Sequence, residues 1–203
     1  MSEGMQKGLS ASGANSLEQS RIVGFPITVS QMKKSISGDD RVRITSLPPD
    51  RWEDFRELRL ESLRKEPKAF LSSYEDEAGL GKGVWQERIK NAVFAVVNDK
   101  PVGMMTYLRR GRRKNDHIAD IFAVYVDKKH RGKGIADRLL KHVISRVKKN
   151  DSVSKIALSV VADQTPAVSL YMKHNFKVVG VLEKELKLNG SFYDELVMEL
   201  VLK

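Results

Sequence analysis

Asp120-Ile-Phe-Ala-Val-Tyr-Val-Asp-Lys-Lys-His-Arg-Gly-Lys-Gly-Ile-Ala-Asp-Arg-Leu-Leu140 reads as a strand, a tight basic glycine loop and the opening turns of a helix. Ile121, Phe122, Val124, Tyr125 and Val126 form a β-branched and aromatic run, ended by the charged Asp127-Lys128-Lys129. Ile135, Ala136, Leu139, Leu140, Val143, Ile144 and Val147 recur at helical intervals and so share one apolar stripe. Between the two lies Arg131-Gly132-Lys133-Gly134. The first N–H groups of a helix have no intrahelical partner and sit at the positive end of its dipole. Glycines let such amides approach an anion closely. The spacing therefore predicts a nest of amides from Gly132 to Asp137 suited to a polyphosphate, with Lys129, Lys133 and Arg138 as mobile charge around it. A Walker loop is excluded because Asp127 stands where its first glycine belongs, and a dinucleotide fingerprint because Asp137 stands where a small residue is needed. A basic turn that merely caps a surface helix is the plain alternative.

Val126-x-x-x-x-Arg131-x-x-Gly134-x-Ala136 resembles the acyl-CoA loop of the GNAT superfamily of N-acetyltransferases, whose signature is Gln or Arg, two residues, Gly, one residue, then Gly or Ala. Ala167-Val-Ser-Leu-Tyr171-Met-Lys-His-Asn-Phe176 is similar to that superfamily's Asn-x-x-Ala-x-x-Leu-Tyr-x-x-x-Gly-Phe segment. The resemblance implies an α/β fold with a mixed, mostly antiparallel sheet, splayed between its fourth and fifth strands and flanked by helices. It implies acetyl-CoA as co-substrate, an amine as acceptor and direct transfer without a metal. Backbone of Val124, Tyr125 and Val126 would pair with the pantetheine arm, and one of their amides would polarise the thioester carbonyl. The pyrophosphate would sit on the loop begun by the signature Arg131, on amides of Gly132, Lys133, Gly134, Ile135, Ala136 and Asp137. Gln164 stands where the family usually has asparagine and keeps an amide for the CoA arm.

The chemistry needs two proton carriers. An alkylammonium near pKa 10.4 has no lone pair at neutral pH, so a base must act, and the leaving thiolate benefits from a donor. The resemblance places Tyr171 as general acid; a core tyrosine bonded to a backbone carbonyl is the alternative. Ser159 occupies the fifth-strand position where some members carry a glutamate base. Asp120 matches the fourth-strand acidic position and is the candidate base, against the reading of a strand-end carboxylate paired with a basic neighbour. Glu195 and His117 follow behind it. Asn175 replaces the usual glycine before Phe176, and asparagine tolerates the left-handed backbone of a helix end.

The chain has 203 residues, 41% hydrophobic and 31% charged, which suits one soluble domain with a real core. With no cysteine, disulfides, thiolate metal sites and cysteine nucleophiles are excluded. No apolar run reaches membrane-span length, and the start lacks the layout of a signal peptide, so a cytoplasmic location is expected. Residues 1–40 read as a flexible N-terminal extension, disordered over 1–20, with a short arm around Ile22–Val29; the transferase domain is expected over 41–203.

Within that domain, 41–47 predicts a first strand, and Asp50 predicts the cap of a helix reaching Pro67. Lys68–Glu77 resembles the segment that borders the acceptor in small-substrate members, so Glu75, Asp76 and Glu77 are candidates to meet an amine. Gly79, Gly81 and Gly83 predict a flexible loop before a helix around 85–91. Strands follow over 92–98 and 102–108, joined by a turn at Asn98-Asp-Lys-Pro101. A strand over 155–162, a helix over 166–174 and a final hairpin turning at Asn189-Gly190 complete the order.

The net charge is +10, and Arg109-Arg-Gly-Arg-Arg-Lys114 concentrates it. No aromatic residues interleave with those charges, so a solvated hairpin loop is favoured over a nucleic-acid surface. The competing function class is a non-catalytic module that holds nucleic acid or an acidic partner through its basic loops. A homodimer is left open by the sequence.

Overall fold

The computed structural model describes residues 42–202. The extension expected over 1–40 lies outside the described residues. The chain runs β1 (Arg43–Thr45), α1 (Trp52–Lys65), α2 (Tyr74–Ala78), α3 (Lys82–Ile89), β2 (Ala92–Val97), β3 (Lys100–Arg109), β4 (Ile118–Val126), α4 (Ile135–Lys148), β5 (Lys155–Val161), α5 (Thr165–Lys173), β6 (Lys177–Leu188) and β7 (Ser191–Val201). Single 3₁₀ turns at Pro49–Arg51, Pro67–Ala69 and Lys128–His130 link some of these.

The strands form one seven-stranded sheet in the order β1-β2-β3-β4-β5-β7-β6. Every neighbouring pair is antiparallel except β4 and β5, which run parallel and meet only at Ile118–Lys155, Ala119–Ile156 and Asp120–Ala157. Beyond Asp120 the two strands part. That parting is the splay the resemblance implied, and it leaves the β5-facing N–H and C=O groups of β4 without a strand partner.

Alternation along the strands sends side chains to two cores. On one face the α4 stripe of Ile135, Leu139, Leu140, Val143 and Val147 packs on Val93, Ala95, Met105, Ile121, Leu158 and Met198. On the other, Phe55, Leu58 and Leu63 of α1 and Trp85 and Ile89 of α3 pack on Phe94, Val96, Met104 and Tyr125. Phe55 meets both Trp85 and Phe94 edge-to-face at 5.5 Å, the geometry that aligns a ring's positive edge with its neighbour's negative face.

Local differences from the sequence reading have local causes. Asp50 does not cap α1: it lies in the 3₁₀ turn, and α1 starts behind Arg51 with no side-chain cap. Gly83 lies inside α3, which begins at Lys82, ahead of the expected start. The β2–β3 turn is tighter than expected, with Asn98 and Asp99 at φ 48° and 61°, both left-handed as a two-residue hairpin turn requires. Asn189 and Gly190 turn β6 into β7 in the same way, at φ 49° and 81°.

Candidate active site

The loop after β4 is held from below. Asp127 accepts from the Lys129 amide at 2.9 Å and caps the turn Lys128–His130. The Arg131 guanidinium reaches back, donating from Nε to the Val126 carbonyl at 2.8 Å and from Nη2 to Glu66 at 2.7 Å. The signature arginine's side chain thus fastens the loop to the end of β4 and to α1. Gly132 and Gly134 then take φ of 75° and 73°, which a side chain would strain. The first helical bond of α4 runs from the Arg138 amide to the Gly134 carbonyl at 3.1 Å. The amides from Gly132 to Asp137 have no acceptor among the described residues. They are the free donors at a helix N-terminus that the sequence predicted, and their chemistry fits a pyrophosphate.

Asp137 belongs to that run through its amide, but its carboxylate turns away. It accepts from Lys173 at 2.8 Å, meets His174 Nε2 at 2.9 Å and pairs with Lys141 at 2.8 Å. Lys141 first, then Lys173 and His174, overcome the opposing effect of burial and hold its pKa well below the carboxylate range. The clamp ties α4 to the end of α5 and steers a negative charge away from the amide nest.

Tyr171 on α5 is 4% exposed, with the Phe176 ring 5.9 Å away. Its hydroxyl takes no hydrogen-bond partner among the described side chains, and burial alone pushes its pKa up. At the N-terminal end of the same helix, Gln164 is the residue before Thr165; its carbonyl accepts from Ala167 and Val168, and its side chain makes no cap bond. Asn175 ends the helix at φ 65°, in the left-handed conformation expected there.

Along β4, the pairing with β3 slips between Met104 and Thr106, and Ala123 sits at φ 51° in the resulting bulge. Nothing in the sequence signals this bulge, because alanine has no preference for positive φ. Val124 packs against the α4-side core and Tyr125 lies in the α1-side core. Tyr125 Oη donates to Glu61 at 3.4 Å, and burial, with Glu61 and Asp127 nearby, pushes its pKa up to about 12.

Asp120 lies where β4 and β5 last pair. Both of its oxygens accept from Arg110, at 2.7 Å each, and the pair lines a recess of about 430 Å³ with Leu108, Phe122 and the basic loop. The basic neighbour weighed in the sequence reading is therefore Arg110. Arg109 of the same loop pairs with Asp116. Ser159 is exposed, and the His117 carbonyl accepts from the Ser154 and Lys155 amides.

Two acidic candidates from the segment after α1 are otherwise engaged. Asp76 and Ser73 form a capping box on α2. Glu77 is buried between Arg59 at 2.6 Å and Arg88 at 3.1 Å. Glu195 on β7 is 8% exposed and has no hydrogen bond or ion pair to a described side chain. Burial first, and Glu185 second, raise its pKa. Sequence reasoning placed it behind Asp120, since one glutamate in a strand announces neither its depth nor its lack of a partner.

A profile of the acetyltransferase (GNAT) family matches residues 49–176. The chain belongs to that family. The L-amino acid N-acetyltransferase AaaT of Escherichia coli K12 is 29% identical over 123 residues, 58% of this chain and 75% of that protein. The L-2,4-diaminobutyric acid acetyltransferase of Streptomyces anulatus is 29% identical over 105 residues, 52% of this chain and 58% of that protein. A GNAT acetyltransferase from Streptococcus pneumoniae superposes with a TM-score of 0.71 at 21% identity, covering 79% of this chain and 99% of that one. The yncA protein of Salmonella typhimurium, solved with its cofactor acetyl-CoA, superposes at 0.70 with 15% identity, covering 80% of this chain and 94% of that one.

GNAT enzymes use acetyl-CoA, and this chain is an N-acetyltransferase of that family. The non-catalytic binding module finds no support. No helix among the described residues is long and apolar enough to cross a membrane.

Proposed function

We propose that the chain acetylates the primary amine of a small molecule, amino acids foremost, by direct transfer from acetyl-CoA. The observation behind the acceptor class is that both curated relatives carry amino acids in their names, an L-amino acid in one and L-2,4-diaminobutyric acid in the other. Polyamines and protein α-amines are the wider class within which this choice is made. Acetyl-CoA supplies an activated acetyl thioester.

The amides from Gly132 to Asp137 would bind its pyrophosphate, with Arg131 fastening their loop and Lys133 adding charge. The unpaired edge of β4 over Val124, Tyr125 and Val126 would take the pantetheine arm as an added strand, and the Gln164 amide would bond it from α5. A β4 amide aimed at the thioester oxygen would contribute about 3 kcal/mol to the transition state. Tyr171 would protonate the leaving sulfur; a raised pKa keeps the phenol protonated until that moment. Asp120 would reach the amine proton only through a bridging water or after leaving Arg110, because both of its oxygens already accept from that guanidinium.

The test is thiol release from acetyl-CoA by the purified protein, offered the L-amino acids, L-2,4-diaminobutyric acid, spermidine and a short peptide with a free N-terminus. Release stimulated by the amino acids supports the reading. Release confined to spermidine or the peptide overturns the acceptor class. Tyr171→Phe should cut turnover while acetyl-CoA affinity stays level, and an unchanged rate removes Tyr171 from the chemistry.

A further inference from the structure

Glu195 is a charged residue in a position where charge is costly. Its side chain is 8% exposed, yet no arginine, lysine or hydroxyl among the described residues pairs with it. Buried carboxylates are ordinarily paired, and one left alone calls for an explanation. Four other carboxylates of the sheet and its flank have partners: Asp120 has Arg110, Glu199 has Lys155, Asp163 has Lys68 and Glu77 has Arg59.

Its place in the fold supplies the explanation. Glu195 pairs across the ladder with Val161, the last residue of β5, and on its other side with Leu182 of β6. Val161 stands as far beyond the last β4–β5 pair, Asp120–Ala157, as Val124 does on the opposite arm. Glu195 therefore lies one strand behind the β5 arm of the splay, level with the β4 backbone proposed to hold the thioester arm.

The turn Pro67–Ala69 packs on β5 and β6 at this end, and Lys68 stacks over Tyr193, which shares Glu195's face of β7. The charged and titratable groups around it are Glu185 from β6, Lys68 from the turn, already paired with Asp163, and Tyr193 of β7 itself. The local field favours a cation, and an amine acceptor arrives as one.

We propose that Glu195 is the general base that takes the proton from the acceptor's ammonium at the β5 arm of the splay, with Glu185 drawing that cation in. This rests on the transferase reading above. Glu195 accepts one proton from the ammonium. The nitrogen lone pair so freed forms the new C–N bond while the C–S bond of the thioester breaks. Tyr171 protonates the sulfur and regains a proton from the second one that the nitrogen sheds. Glu195 passes its own proton to solvent, so one proton is released per turnover.

The experiment compares wild type and Glu195→Gln in amine-stimulated thiol release across pH, with acetyl-CoA affinity and melting temperature measured beside it. The amine used is whichever member of the panel wild type acetylates. The expected result is a loss of about 10²- to 10⁴-fold in kcat/KM at neutral pH, partly recovered at high pH where the amine deprotonates unaided, with acetyl-CoA affinity and melting temperature held. A neutral-pH rate equal to wild type, with the same acidic limb, overturns the proposal while leaving the transferase reading intact.

Should Glu195→Gln fail to fold, Glu185→Gln provides the second reading. Removing the like charge should move the acidic limb of wild-type activity to lower pH, and an unmoved limb overturns the proposal. If wild type releases thiol with no amine in the panel, the acceptor class proposed above falls and this proposal falls with it.

Discussion

Gly134 is where backbone conformation and ligand chemistry meet in one residue. At φ 73° a β-carbon costs about 1–2 kcal/mol, although open space surrounds the position where that carbon would lie. Gly134→Ala should therefore lower stability by about that much through backbone strain alone. Gly134→Asp adds a negative charge at the mouth of the amide run and should abolish acetyl-CoA binding. Calorimetric titration of both variants separates strain from charge, and an aspartate variant that binds like wild type would contradict the cradle.

Glu77 shows the opposite use of a carboxylate. Burial works to raise its pKa, but Arg59 and Arg88 outweigh it, and the net shift is downward. A depressed folded pKa contributes stability that is present above the ordinary glutamate range and is lost as pH falls through the folded value. Glu77→Gln leaves two arginines short of a partner and should cost about 3–5 kcal/mol at neutral pH. The gap from wild type should narrow below about pH 4 in denaturant titrations. A constant gap across acid pH would show that the pair's charge contributes nothing.

At the scale of elements, the Asp137 clamp joins the helix that offers the amides to the helix that carries Tyr171. Asp137→Asn keeps the backbone amide and removes the charge that gathers Lys173 and His174. The expected outcome is a several-fold fall in kcat with little change in acetyl-CoA affinity, because the nest survives while the end of α5 loosens. A matching loss in affinity would mean that the clamp shapes the nest as well.

These elements were largely legible in the sequence. The α4 stripe and the Asn189-Gly190 turn follow from spacing and turn chemistry, and their observed bounds lie within a residue or two of those expected. The Ala123 bulge was not legible, since it sits in a register slip between β3 and β4 that no local preference announces. Asp137 read as one more amide of the loop, because two of its three side-chain partners, Lys173 and His174, lie at the end of another helix. The engagement of Glu77 was hidden for a related reason. A run of acidic residues looks solvent-facing until the arginines of α1 and α3 fold over it.

At the largest scale, the described domain is one sheet with a core on each face, and β2, β3 and β4 contribute to both. Neither core can be lost without exposing the other through those shared strands, so the described domain should unfold in a single transition. Acetyl-CoA binding only the folded state then stabilises the whole sheet by mass action. At a concentration about a hundredfold above its Kd, the gain is about 2.7 kcal/mol. A domain of this size gains about 2–4 °C per kcal/mol, so the melting temperature should rise by about 5–10 °C. The shift should grow with the logarithm of ligand concentration and disappear in Gly134→Asp. A melting curve that splits, with one phase responding to acetyl-CoA and the other not, would mean that the halves either side of the splay unfold independently and that the ligand bridges less of the sheet than the amide run and the β4 edge together imply.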